Sequence, residues 1–379
     1  MPSSIFHQNL TAQALRGAGV TDCGKLATDY CCYPDMYFGE QYPETEPYIY
    51  FYKGIQFHYP PHTPVEEFYR YWTQDENGSH IFLTRKNENV CHVEAGFHFY
   101  LNKVISLLKE NNAAEAYKFL GCLLHFLEDA TFGLHVLEGA DGTDLFVLDR
   151  LTGEDIARYI VNLPMPEELK QLILSPCILS DNIPETVALL YDRYVRISAR
   201  ARQLLFDIVL EHLTGKSRKS TEENLRLMYT GSLQLVTDTI GTILALASGK
   251  TKSVPVRQLT EFSPIHYPIG GSGGFGLRRY TENREENIIT FGDHCEAYLL
   301  YSIPRDLYKR FTVSVTGEEI HQATLHWISN GKICQSVELK NNEAIPLSFP
   351  VSGGDTGFKI TSSVCGGRIK IADGLFHRF

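Results

Sequence analysis

The stretch Phe119-Leu120-Gly121-Cys122-Leu123-Leu124-His125-Phe126-Leu127-Glu128-Asp129-Ala130-Thr131-Phe132-Gly133-Leu134-His135 decides how this chain is read. His125 and Asp129 stand four residues apart, so on a helix they share one face. Phe119, Leu120, Leu123, Leu124, Phe126 and Leu127 surround that polar pair on nearly every side. Thr131 and Gly133 weaken the helical pattern, which places the helix end there and His135 just beyond it. A carboxylate and two imidazoles in so apolar a run need partners once they leave water. A metal ion would satisfy all three together. An ordinary buried hydrogen bond between His125 and Asp129 is the other reading.

The segments leading into this stretch, Glu94 to Asn112 and Ala113 to Leu120, read as helix. Residues 4–28 also read as helix, with Ile5, Leu10, Ala14 and Leu15 on one face and Ser3 or Ser4 as the cap. Residues 29–92 are aromatic, Pro-rich and irregular, which suits a functional surface better than a spacer. Helices are expected again at Glu154–Leu163, Pro166–Leu174, Pro184–Thr214 and Glu222–Ser248. Gly249 to Pro255 closes the helical part. Beyond it the pattern changes to short strand-like runs: Ile288–Phe291, Ala297–Ser302, Phe311–Thr316, Ala323–Ile328, Ile333–Leu339, Ile345–Phe349, Phe358–Ser363 and Arg368–Ala372. Turns such as Ser329-Asn330-Gly331 and Ser352-Gly353-Gly354-Asp355 separate them, which predicts an antiparallel β-sandwich. The expected division is a helical domain at 1–250, a linker at 251–262 and a sandwich at 263–379.

The spacing Gly121-x3-His125-x3-Asp129-x5-His135 resembles the central helix of the zinc-dependent phospholipase C and P1-type nuclease superfamily. The resemblance extends over residues 1 to about 250 and implies an all-α bundle of that type. Bacterial phospholipase C toxins of the family also append a β-sandwich. By this resemblance, His7 in Ser4-Ile5-Phe6-His7 matches the family's early histidine ligand. Asp35, after Pro34, matches the aspartate that ligates metal and serves as base, and Asp29 in Ala27-Thr28-Asp29-Tyr30 is the alternative for that role. His58 in Phe57-His58-Tyr59 matches a further ligand, with His62 in reserve. Removal of Met1 would leave an amine at Pro2, five residues before His7, which is the nuclease branch's spacing for its terminal ligand. The implied ligand set is therefore His7, Asp35, His58, His125, Asp129 and His135, around one or two zinc ions.

The chain departs from the family after His135. A His-x3-Glu or His-x3-Asp pair is expected there, yet no histidine occurs before His212. Glu138, Asp141, Asp144 and Asp149 fill the interval, and an oxygen-rich set suits a harder cation or none. A third metal site is therefore expected to be lost or altered.

Composition narrows the function classes. The net charge of −10, with no basic stripe, argues against a nucleic-acid backbone as a standing partner. The nine cysteines include an adjacent pair, Cys31-Cys32, and no Cys-x-x-Cys, so a thiolate zinc site is not expected. An odd thiol count and the lack of a signal-peptide pattern at Met1-Pro2-Ser3-Ser4 favour a reducing, cytoplasmic setting, or a chain numbered without its leader. The apolar run Ile240–Ala247 is too short to span a bilayer. The glycine-rich Gly270–Gly276 lacks the Lys-Ser/Thr of a phosphate cradle. The order Tyr308, Phe311 and then Asn330-Gly331-Lys332 resembles jelly-roll carbohydrate-binding modules and implies a possible sugar partner for the sandwich.

Three functions are consistent with these readings. The first is a phosphoesterase-like hydrolase of the phospholipase C type with an altered metal cluster, acting on a small-molecule or phospholipid-like substrate. The second is a non-hydrolytic cyclase or lyase of small-molecule biosynthesis in the same pocket, including a pericyclic cyclisation and needing no metal. The third is a non-catalytic binding protein.

Overall fold

Residues Ala113–Thr131 form the 19-residue helix around which the first part of the molecule packs. The computed structural model describes residues 4–21, 23–32, 49–52, 55–58, 92–133, 135–138, 143–215, 218–263, 288–290, 296–363 and 367–379. Contacts divide the chain into two units, Met1–Thr251 and Lys252–Phe379.

In the first unit the helices are α1 (Ser4–Gly17), α2 (Gly24–Tyr30), α3 (His92–Lys109), α4 (Ala113–Thr131), α5 (His135–Glu138), α6 (Thr143–Thr152), α7 (Ile156–Val161), α8 (Ile183–Thr214) and α9 (Arg218–Ser248). One antiparallel hairpin, β1 (Ile49–Tyr52) and β2 (Ile55–His58), lies between α2 and α3 in sequence. Helix α4 touches α1, α2, α3, α8 and α9, which makes it the core helix of the unit. Leu120, Leu123, Leu124, Phe126 and Leu127 are accordingly buried around its whole circumference. Burying such a side chain fully contributes about 1.5–3 kcal/mol, so α4 is held by its surroundings more than by its own propensity. Its start is capped by Asn112, whose side chain accepts from the Glu115 backbone N–H.

Two helical expectations are corrected. Residues 4–28 are not one helix: the chain breaks between α1 and α2, where Gly19 (φ 75°) and Cys23 (φ 61°) take left-handed backbone. Residues 166–174 form only a short 3₁₀ turn at Glu167–Gln171, entered through Pro166.

The second unit is built of antiparallel strands: β3 (Val256–Gln258), β4 (Ile288–Thr290), β5 (Glu296–Ile303), β6 (Arg310–Glu318), β7 (Ala323–Ser329), β8 (Lys332–Leu339), β9 (Ala344–Pro350), β10 (Gly354–Ser362) and β11 (Arg368–His377). One sheet runs β5-β10-β7-β8; the other runs β3-β11-β6-β9, with β4 also paired to β11. The sheets meet through aromatic residues. Trp327 on β7 stacks on Phe311 of β6 and Phe349 of β9, with ring centroids 5.1 and 4.8 Å apart. Strand β6 alternates buried and half-exposed residues along its length, as one face on a core requires.

The architecture is thus an all-α bundle, apart from the hairpin, followed by an antiparallel β-sandwich. The expected linker contains structure: Val256–Gln258 pairs with β11, and Leu259 and Phe262 are buried. Strand β11 also runs five residues past its expected end at Ala372, to His377. Asp373-Gly374 forms a bulge, where the register shifts and Asp373 takes φ 53°.

Candidate metal centre

Helix α1 presents His7 and Thr11 from one face, four residues apart, to the last turn of α4. Helix α4 answers with His125, Glu128 and Asp129. All five side chains are buried: His7, Thr11 and Glu128 are 0% exposed, His125 2% and Asp129 5%. His7 Nδ1 lies 2.7 Å from Glu128 Oε2, within hydrogen-bond distance, and Thr11 Oγ1 donates to Glu128 Oε1 at 2.7 Å. On the other side of its ring, His7 Nε2 lies 3.2 Å from Asp129 Oδ1. His125 Nε2 lies 3.0 Å from Asp129 Oδ2. The two imidazoles stack, with centroids 4.4 Å apart and planes 29° from parallel.

Asp129 therefore directs one oxygen to each ring. His7, His125 and Asp129 each offer a ligand atom, and these atoms all lie within 4.8 Å of one another. His7 Nε2 is buried with no hydrogen bond despite the nearby carboxylate oxygen. Two buried imidazoles and a carboxylate form a donor set that suits zinc.

The electrostatics favour a positive charge at this point. Burial alone would depress the basicity of His7, but Asp129 and Glu128 outweigh it and hold His7 well above the ordinary imidazole range. Burial raises Glu128, with His7 and Thr11 pulling the other way. Two buried carboxylates need a compensating cation, and either a proton on His7 or a bound ion supplies one.

Close packing places the helix that carries these groups. A Cβ on Gly121 would lie 2.4 Å from the Ala27 carbonyl oxygen and 2.9 Å from Tyr30 C, so only glycine lets α2 and α4 approach this closely. Phe6 stacks on Phe132 at 4.5 Å, and each meets Tyr229 edge-on at 5.9 Å, beside the cluster.

Of the residues expected at a site from sequence, His7, His125 and Asp129 come together. Asp29, on α2, pairs with Lys25 at 2.6 Å and is not one of the clustered donors. Asp149 accepts from the Ile156 backbone N–H at 3.0 Å, ahead of α7. His58 lies in β2, His135 opens α5 and Asp144 lies in α6, but the side chains of these three are outside the described set. Asp35, His62, Asp141, Met1 and Pro2 lie outside the described residues. The sequence reading missed Glu128 and Thr11. The signal available for Thr11 was its i,i+4 relation to His7; for Glu128 it was a charged residue inside an otherwise apolar run.

No family model matches the sequence, and no curated protein matches it. Among solved structures, the crystal structure of Clostridium perfringens alpha-toxin from avian strain SWCP is similar over 94% of this chain and 86% of that one, at 12% identity and a TM-score of 0.34. Alpha toxin from Clostridium absonum is similar over 100% of this chain and 89% of that one, at 8% identity and a TM-score of 0.35.

Proposed function

We propose that the helical unit is a metal-dependent phosphoesterase of the phospholipase C type, holding at least one zinc ion between His7, His125 and Asp129. The observation that carries this reading is the convergence of two imidazoles and one carboxylate, all buried, from two helices to within 4.8 Å. Three protein donors of this kind match catalytic rather than structural zinc sites, because they leave a position for water or substrate. When bound, the ion supplies Lewis acidity, acidifying water and drawing charge from a phosphoryl group.

The protein's own groups prepare that chemistry. Asp129 directs one oxygen to each imidazole, so its orientation is fixed before a ligand enters. Stacking restricts the His7 and His125 rings to one relative orientation. The phosphoester class rests on the spacing of Gly121, His125, Asp129 and His135. On the same ground His58 and His135 are proposed as further ligands, and Asp35, or Asp29 in its place, as the base.

One observation favours a second reading. His7 already stands between two carboxylate oxygens at 2.7 and 3.2 Å, so a protonated His7 closes the cluster by itself. In that form His125 and Asp129 could move protons on an organic substrate without an ion, as a cyclase or lyase would need.

Elemental analysis of protein purified without chelator separates the two. The hydrolase reading expects at least one zinc per chain, together with release of a phosphorylated headgroup from phosphatidylcholine micelles that a chelator stops and zinc restores. Protein that holds no zinc, and takes up none on titration, overturns the hydrolase reading and leaves the second.

A further inference from the structure

Glu128 lies outside the proposed ligand set, yet both its oxygens are engaged, by His7 Nδ1 and by Thr11 Oγ1. Both partners belong to α1, so one carboxylate on α4 grips two successive turns of the neighbouring helix. Stability alone is a weak reason for such a residue. A buried charged contact can often be replaced by apolar side chains of similar volume with no loss of stability.

Geometry gives a better reason. The two nitrogens of an imidazole face away from each other, and in the neutral ring one carries the hydrogen while the other carries the lone pair. A ring that gives Nδ1–H to Glu128 must therefore turn the Nε2 lone pair to the opposite side. On that side stands Asp129, the next residue of the same helix, 3.2 Å away. Glu128 and Asp129 thus bracket a single ring, one behind it and one in front. We propose that Glu128 is a positioning residue: it fixes His7 as the Nδ1–H tautomer and aims Nε2 at the space shared with His125 and Asp129. The inference rests on reading His7 as a ligand. Carboxylates and carbonyls that hold the far nitrogen of a metal-binding histidine commonly act this way, orienting the ring and raising its basicity.

The test uses full-length protein with ¹⁵N-labelled histidine, comparing wild type, Glu128→Gln, Glu128→Leu and Thr11→Val. The first readout is the imidazole nitrogen spectrum of metal-free protein at a pH where His7 is neutral; the second is zinc affinity by titration. Wild type should show His7 as the Nδ1–H form, and so should Thr11→Val, which leaves the His7 contact intact. Glu128→Gln keeps an acceptor in its amide oxygen. It should retain the tautomer with a shifted Nδ1 resonance and bind zinc less than about tenfold more weakly. Glu128→Leu should lose the tautomer preference and weaken zinc binding by about 10- to 100-fold. Wild-type His7 carrying its hydrogen on Nε2 overturns the proposal, as does a Glu128→Leu protein with wild-type tautomer and affinity. Should Glu128→Leu fail to fold, an unshifted Nδ1 resonance in Glu128→Gln overturns it and a shifted one supports it. Wild type that binds no zinc would refute the metal-site reading, while the tautomer spectrum would still decide the role of Glu128.

Discussion

The interior of the β-sandwich and the interior around α4 are buried to the same degree by opposite means. In the sandwich, Trp327 lies between Phe311 and Phe349, and Phe358 meets Trp327 edge-on at 5.3 Å. The Trp327 indole N–H, its one polar group, is met by the Pro350 carbonyl at 3.1 Å. Such a core is complete in itself, because apolar surfaces need only one another. Around α4 the buried groups include, beside apolar side chains, two carboxylates and two imidazoles, which need a compensating positive charge. The comparison teaches that dense burial marks a core in one unit and a site in the other, and that chemistry rather than depth separates them.

The most severe way to break the comparison is to damage the self-contained core. Trp327→Ala should cost about 3–5 kcal/mol, from lost transfer energy and an unfilled cavity. Denaturant melts should show the loss whether or not zinc is present, and zinc stoichiometry should not change. A cost that disappears on adding zinc would mean that the two interiors are not independent.

A slightly smaller effect is expected at the polar interior. Zinc at about a thousand times its dissociation constant should stabilise wild type by about 4 kcal/mol. Asp129→Asn removes the carboxylate shared by both rings, and calorimetry with and without chelator should then show almost none of that gain. Equal stabilisation of the variant would place the ion elsewhere.

The smallest effect, and the one that sharpens the contrast most, is in pH. His7 and Glu128 both hold their protons more tightly folded than unfolded. For a raised group, the stabilising contribution is complete below its unfolded value and is lost as pH rises through the folded one. For His7 that loss begins above the ordinary value of 6.5. Metal-free protein should therefore become less stable as pH is raised from 6.5 into the alkaline range. Zinc competes with the His7 proton, so its affinity should strengthen over the same interval, by up to about tenfold per pH unit. Thermal melts at both ends, with and without zinc, check the two signs together. The Trp327 core carries no such group and should contribute nothing to the trend.

Much of this contrast was legible before any coordinates. Short strand-like runs separated by turn residues located all eight strands that were expected, because both signals are local to a few residues. Strand β3 escaped because Val256-Arg257-Gln258 lies in the stretch read as a linker and has one apolar residue. It exists only because β11 continues past the bulge at Asp373 to meet it. The i,i+4 rule joined His125 to Asp129, since helix geometry alone puts them on one face. Glu128 was passed over. Its role depends on α1, and His7 lies 121 residues away in the chain.

The sequence by itself determined the order of a helical unit and a sandwich, the helix that carries His125 and Asp129, and the chemical types open to a site there. Those are local matters of period, spacing and composition, settled over a few residues. Only the tertiary structure decided that α1 docks on α4 so that His7 stands between Glu128 and Asp129. Helix α2 docks on the same α4 through a close approach of whole helices, as the bare backbone at Gly121 against Ala27 allows. Such contacts join distant parts of the chain, and no local pattern encodes them.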